Sequence, residues 1–394
     1  MSPPEPLVLL APRLLDGTGA VAVADAALWL DGARIAWLGP AAGLPPPARG
    51  VATVELPGCT LLPGLVDVHV HLVASGGPDL ASDIPGSEAE RTLAAVANAR
   101  RHLDAGVTLV RDLGATGGEA IAVGRAIEAG VVEGPRVIAA GPAVTMTGGH
   151  ISYLGRVADG PEQLRAAVRA NLDMGAGCIK VVATGGVLTK GLDPRVASYT
   201  QPELDALVDE AHRLGLRVAA HAIGEGGVAA ALRAGVDSVE HGMFLDDESI
   251  ELFLQTGARY STTFSARECI MRGETVPEWV KERARPAAEA HVPSFQAAVK
   301  AGVRIVAGTD AGTPENHHGR VAHEVVSMVE AGLDLLGGVR AVTAEAADLL
   351  AEPDRGVLRA GAVADVLAVD GDLSRDVTAL TRPTAVFRSG RRVR

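Results

Sequence analysis

Through the middle of the chain a helical stretch repeatedly ends in glycine, and a short β-rich run follows. Leu103-Asp104-Ala105-Gly106 precedes the apolar run 107–110, Leu232-Arg233-Ala234-Gly235 precedes 236–239, and Val299-Lys300-Ala301-Gly302 precedes 303–306. Glycine just past a helix takes the left-handed conformation that other residues avoid. Strand candidates begin near Leu65, Thr108, Arg136, Cys178, Arg217, Ser238, Arg259 and Arg304. They alternate with helical candidates at Glu88–Asp104, Pro161–Met174, 202–214 and 247–255. Eight such alternations over roughly 250 residues predict a (β/α)8 TIM barrel of class α/β. A doubly wound open sheet is the competing architecture, but no G-x-G-x-x-G follows a first strand, which argues against its dinucleotide-binding form.

The two ends of the chain follow another pattern. Ala27-Leu28-Trp29-Leu30 and Ile35-Ala36-Trp37-Leu38 flank Asp31-Gly32, a hairpin signal. Residues 363–369 form a buried-strand pattern, and Val386-Phe387 and Arg392-Val393 flank Ser389-Gly390, a second hairpin. These segments predict one small composite β-sandwich domain, residues 1–62 plus 356–394, with the barrel, residues 63–355, inserted between its halves.

Composition narrows the function classes. Of 394 residues 47% are apolar and only 3% aromatic, so a large core is expected from Ala, Val, Leu and Ile. The net charge of −12 argues against a nucleic-acid partner. The one dense basic run, Arg388, Arg391, Arg392 and Arg394, is expected to be a solvated terminal strand. Three cysteines, Cys59, Cys178 and Cys269, lack C-x-x-C spacing and suggest reduced thiols in a cytoplasmic protein. The N-terminal run resembles a strand more than a signal peptide, and no apolar stretch has the length of a membrane span.

In a barrel, chemistry collects where strands end. His69 and His71 sit near the end of the first strand and, by alternation, share one face. Lys180 lies in a fourth strand, His221 ends a fifth, His241 a sixth and Asp310 an eighth. Each has a plain structural alternative: a hydrogen-bonded histidine at a strand end, an aspartate capping a turn. Lys180 has few, because an unpaired buried ammonium is very costly. The coincidence of all six at one end of five strands favours a pair of divalent cations, zinc or manganese. Lys180 fits such a cage if CO₂ converts its amine to an anionic carbamate.

Leu62-Pro63-Gly64-Leu65-Val66-Asp67-Val68-His69-Val70-His71, the run Ile179 to Gly186, His221, Glu240-His241-Gly242 and Gly308-Thr309-Asp310-Ala311-Gly312 resemble the amidohydrolase superfamily, more narrowly its imidazolonepropionase-like branch with Xaa-Pro and Xaa-Arg dipeptidases. The likeness spans nearly the whole chain. It implies His69, His71 and Asp310 on the more buried metal, His221 and His241 on the other, carboxylated Lys180 as the bridge, and a homo-oligomer. True imidazolonepropionases use one metal and lack the lysine, so Lys180 points to binuclear relatives. The resemblance also puts His150, in Thr145-Met146-Thr147-Gly148-Gly149-His150, against a substrate carbonyl or carboxylate; His318 is a candidate mouth residue. Many relatives carry a polar side chain where this chain has Ile223, which weakens a contact to a substrate carboxylate.

The expected chemistry is attack by a bridging hydroxide on a C–N bond of a small dipeptide or N-acyl amino acid, with Asp310 shuttling the proton. Non-peptide amides, carbamates or ureas, and lactones or phosphotriesters, are alternative substrates. A non-catalytic oligomeric scaffold is disfavoured by the complete ligand set.

Overall fold

The computed structural model describes residues 4–84 and 86–394. Eight parallel strands are found at the expected places: Leu65–Val70, Val107–Asp112, Arg136–Ala139 resumed at Ala143–Thr145, Cys178–Val182, Arg217–Ala222, Ser238–His241, Arg259–Ser261 and Ile305–Val306. Helices alternate with them, including Glu88–Asp104, Pro161–Met174, Gln201–Arg213 and Asp247–Thr256. Local sequence sets their ends. Ser87 and Glu90 form a capping box at the start of the first long helix, as do Thr200 and Glu203 further on. Gly106, Gly235 and Gly302 take φ of 88°, 91° and 86°, the left-handed turn expected from the pattern.

The parallel strands form two sheets instead of one continuous ladder, one of three strands and one of seven, the larger including the short edge strand Gly155–Val157. The third strand is broken between them: Arg136–Ala139 pairs with the second strand, and Val144, after Gly141-Pro142, pairs with Val181 of the fourth. At the other seam Val68 N donates to Ala307 O (3.1 Å), Asp310 N to His69 O (2.8 Å) and His71 N to Ala311 O (2.8 Å). Gly308 makes that approach possible, because a Cβ there would lie 2.8 Å from the His69 Cβ and 2.5 Å from Ser261 Oγ.

Both chain ends join one eight-stranded mixed sheet. Cys59–Pro63 lies between Leu7–Leu14 on one side and Val366–Asp370 on the other, so the N- and C-terminal segments are hydrogen-bonded neighbours. The predicted hairpins are present. The first turns one residue later than expected, with Asp31 paired to Arg34. In the second, Ser389 (φ 48°) and Gly390 (φ 77°) supply the two left-handed positions of a tight turn. Leu28, Leu30, Val366, Ala368 and Phe387 line one apolar face of this module, while Leu367, Val369 and Val386 point the other way into the core of the parallel sheets. All three cysteines are free thiols, and among the described residues no helix is long and apolar enough to cross a membrane.

Candidate metal centre

The carboxyl ends of the strands deliver six titratable side chains to one cavity: His69, His71, Lys180, His221, His241 and Asp310. All six are buried. Ring centroids are 5.4 Å apart for His69–His71, 5.3 Å for His69–His241 and 4.5 Å for His221–His241. Asp310 Oδ1 lies 3.3 Å from His69 Nε2 and 3.1 Å from His71 Nε2, and Lys180 Nζ lies 3.4 Å from His69 Nε2. Ligand atoms of His69, His241 and Asp310 all fall within 4.8 Å of one another. His241 (φ 76°) and Asp310 (φ 58°) hold left-handed backbone conformations, which are costly for non-glycine residues and concentrate at functional sites.

Each imidazole has one nitrogen engaged away from the cluster. His69 Nδ1 is 3.0 Å from Glu240 Oε2, and His71 Nδ1 is 3.2 Å from Gly114 O. His221 Nε2 is 2.9 Å from Gly185 O, and His241 Nδ1 is 2.8 Å from Thr263 Oγ1. The Glu240 carboxylate and the Gly114 and Gly185 carbonyls can only accept, so those nitrogens of His69, His71 and His221 carry a proton, and the Thr263 hydroxyl can accept from His241. In the neutral rings the second nitrogen then carries a lone pair for a cation, the arrangement typical of metal-ligating histidines. Burial, followed by the Lys180 charge, lowers His69 to about 4 and His221 to about 3; burial and neighbouring imidazoles push His241 well below its usual value. Neutral rings are the ligand form. His71 differs: burial opposes its charge, but the hydrogen bond and charge of Asp310 prevail and raise it. Burial also lowers the Lys180 amine to about 8, against the pull of Glu240 and Asp310. A readily deprotonated amine beside three neutral imidazoles suits carbamate formation, so the residues present fit a pair of divalent cations.

Four supporting titratable side chains, Arg111, Glu240, Asp67 and Asp112, were given no role from sequence; burial raises Asp67 to about 7 and Asp112 to about 6. Arg111 donates to Glu240 Oε1 (2.7 Å), Val68 O (2.7 Å) and Ser238 Oγ (3.1 Å), and Ser238 Oγ donates to Glu240 Oε1 (2.6 Å). Burial disfavours the Glu240 carboxylate, but Arg111 and His69 hold it ionised, well below the carboxylate range. Asp67 accepts from His69 N (3.2 Å), Thr309 N (3.0 Å) and Thr309 Oγ1 (2.7 Å), tying the first strand to the eighth. Asp112 accepts from Leu72 N (2.7 Å) and Gly114 N (3.3 Å). A charged residue within or at the end of a strand candidate was the available signal for all four.

Of the substrate candidates, two line the cavity. The His150 ring lies 4.7 Å from His221, with Nδ1 2.8 Å from Thr189 Oγ1. A Cβ at Gly186 would fall on the His150 ring, so glycine is required there. Ile223 joins Val187, Leu188, Met243 and Ile270 in an apolar outer wall. His318 does not line the cavity. It is buried beside the wall, with Nδ1 2.9 Å from His102 Nε2 and Nε2 2.7 Å from Ala74 O, because the loop after the eighth strand folds back onto the first long helix.

Residues 60–393 match the sequence model of the Amidohydrolase family. The chain belongs to that family. It is 32% identical to ochratoxinase of Aspergillus niger, with 96% of this chain and 84% of that protein covered. A crystal structure of a Xaa-Pro dipeptidase with bound methionine in its active site superposes with a TM-score of 0.91 at 32% identity, covering 98% and 99% of the two chains. The solved A. niger ochratoxinase gives 0.89 at 30%, covering 99% and 96%. The family and these neighbours make the chain a hydrolase acting on C–N bonds, in a family that generally uses metal ions.

Proposed function

We propose that the chain is a binuclear metal-dependent amidohydrolase that cleaves the amide bond of a dipeptide or N-acyl amino acid bearing apolar groups. The observation that carries this reading is the outward anchoring of one nitrogen on each of four imidazoles, while Nε2 of His69 faces Lys180 and Asp310 and Nε2 of His71 faces Asp310. His69, His71 and Asp310 would hold one divalent cation, His221 and His241 the other, and Lys180, carboxylated, would bridge them; zinc or manganese suits this donor set. When bound, such a pair acidifies a water and polarises a carbonyl. Asp310 takes the proton of the attacking water at its carboxylate and returns it to the leaving nitrogen. His150, steadied by Thr189, offers Nε2 to the substrate carbonyl or carboxylate. The wall around Ile223 excludes water and seats an apolar substituent. The bonds across both seams support one (β/α)8 barrel over residues 63–355, with residues 1–62 and 356–394 as the composite β-sandwich domain. We place the enzyme in the cytoplasm as a homo-oligomer acting on small molecules.

The test is a substrate panel run on protein loaded with two equivalents of zinc or manganese. Apolar dipeptides and N-acyl amino acids are expected to turn over faster than aryl amides, carbamates, ureas, lactones and phosphotriesters. Faster turnover of uncharged amides would favour the second reading, for which the apolar Ile223 speaks. Absence of bound metal, or of any amide cleavage, would refute both.

A further inference from the structure

A groove of about 550 Å³ lies at the opposite end of the parallel strands, between the C-terminal hairpin and the loop after the helix Glu119–Glu128. Ile127, Val131 and Val132 line its apolar side and Arg355, Arg388 and Arg391 its basic side; Glu128 and Glu133 also line it, each already paired with an arginine, Arg136 and Arg100 respectively. Val131 is 75% exposed. Strand alternation creates the basic side: Phe387 is buried in the end module, so Arg388 faces the groove.

The arginines here differ in how they are satisfied. Arg355 pairs with Asp365 and Glu352, and Arg136, at the start of the third parallel strand, pairs with Glu128 and Glu352. Arg388 is half-buried and forms no ion pair among the described residues, and its covered Nε has no hydrogen-bond acceptor. Burial, and repulsion from Arg355 and Arg136, disfavour its charge, with Asp365 only partly offsetting them. A guanidinium does not discharge by losing its proton, so the unfavourable field remains.

We propose that this groove binds a small amphipathic carboxylate, Arg388 taking the carboxylate and Ile127, Val131 and Val132 the hydrocarbon part. One unpaired planar guanidinium matches one carboxylate through two parallel bonds. A phosphate dianion calls for more free donors, and the neighbouring arginines Arg136 and Arg355 already have carboxylates. The volume falls in the range of small-ligand pockets, about 300–1,000 Å³.

Calorimetric titration of the full-length protein and its Arg388→Met variant with octanoate, octylamine and inorganic phosphate tests the assignment, with melting curves of both proteins. Octanoate is expected to bind the parent and to lose about tenfold or more in the variant, as for a charged hydrogen bond. Octylamine is expected not to bind and phosphate to bind more weakly. The ligand-free variant is expected to melt at the same or a higher temperature, and its amidase turnover to be unchanged, since the groove is remote from the metal centre. Equal octanoate affinity in both proteins, no binding at millimolar concentration, tighter binding of phosphate, or a lowered melting temperature in Arg388→Met would each overturn the proposal.

Discussion

Replacing Arg111 by methionine probes how the candidate metal centre is held. Arg111 and Glu240 are 1% and 0% exposed and 2.7 Å apart, so bulk solvent screens neither charge. The substitution keeps much of the side-chain volume but leaves the buried Glu240 carboxylate without its guanidinium partner, next to His69 Nδ1 at 3.0 Å. Removing one member of a buried pair costs about 3–5 kcal/mol. Each kcal/mol lowers Tm by about 2–4 °C in a domain of 150–250 residues, so a loss on the order of 5–10 °C is expected in this longer chain. The double variant Arg111→Met/Glu240→Leu removes both charges and should recover much of that stability, because an apolar replacement of the whole pair is often neutral. Its metal affinity should stay low, by about 10–100-fold, because His69 has lost the acceptor that orients it. Melting curves and competition with a chelating dye read the two effects separately. If Arg111→Met melts within a degree of the parent, or if the double variant is no more stable than the single one, the pair is not the buried unit described here.

Other substitutions test single links. Asp310→Asn should lower kcat by about 10²–10⁴ through loss of the proton shuttle, measured under saturating metal; near-normal turnover would reassign the base. Lys180→Ala should lose activity and much bound metal, with partial rescue by added acetate or propionate, read by metal analysis and rate. Gly186→Ala should raise KM more than it lowers kcat, since the added methyl displaces the His150 ring. Gly308→Ala should destabilise by about 1–3 kcal/mol, the usual cost of overpacking, because the new Cβ meets His69 and Ser261; an unchanged denaturation midpoint would show that the seam has slack.

Much of the architecture was legible because it follows from local rules. Gly106, Gly235 and Gly302 end helices wherever they are placed, and the apolar runs after them have few alternatives to buried strands. The six cavity residues could be read from position alone, since the end of a strand in such a fold projects into one mouth. The break at Gly141-Pro142, which splits the parallel strands into two sheets, depends on which neighbour each half of the third strand pairs with, and that choice is not local. His318 shows the same limit: its loop could have reached the mouth, and the partner that drew it away, His102, lies 216 residues earlier.

The chain by itself determined the alternation of strands and helices, the family and the six polar groups at the strand ends, because propensity, capping and alternation act over a few residues. Tertiary structure alone decided which nitrogen of each histidine is anchored outward, that Arg111 and Glu240 form the buried pair behind His69, and that Arg388 forms no ion pair among the described residues. Those outcomes depend on distances between segments far apart in sequence, and on a burial that makes each unpaired charge costly.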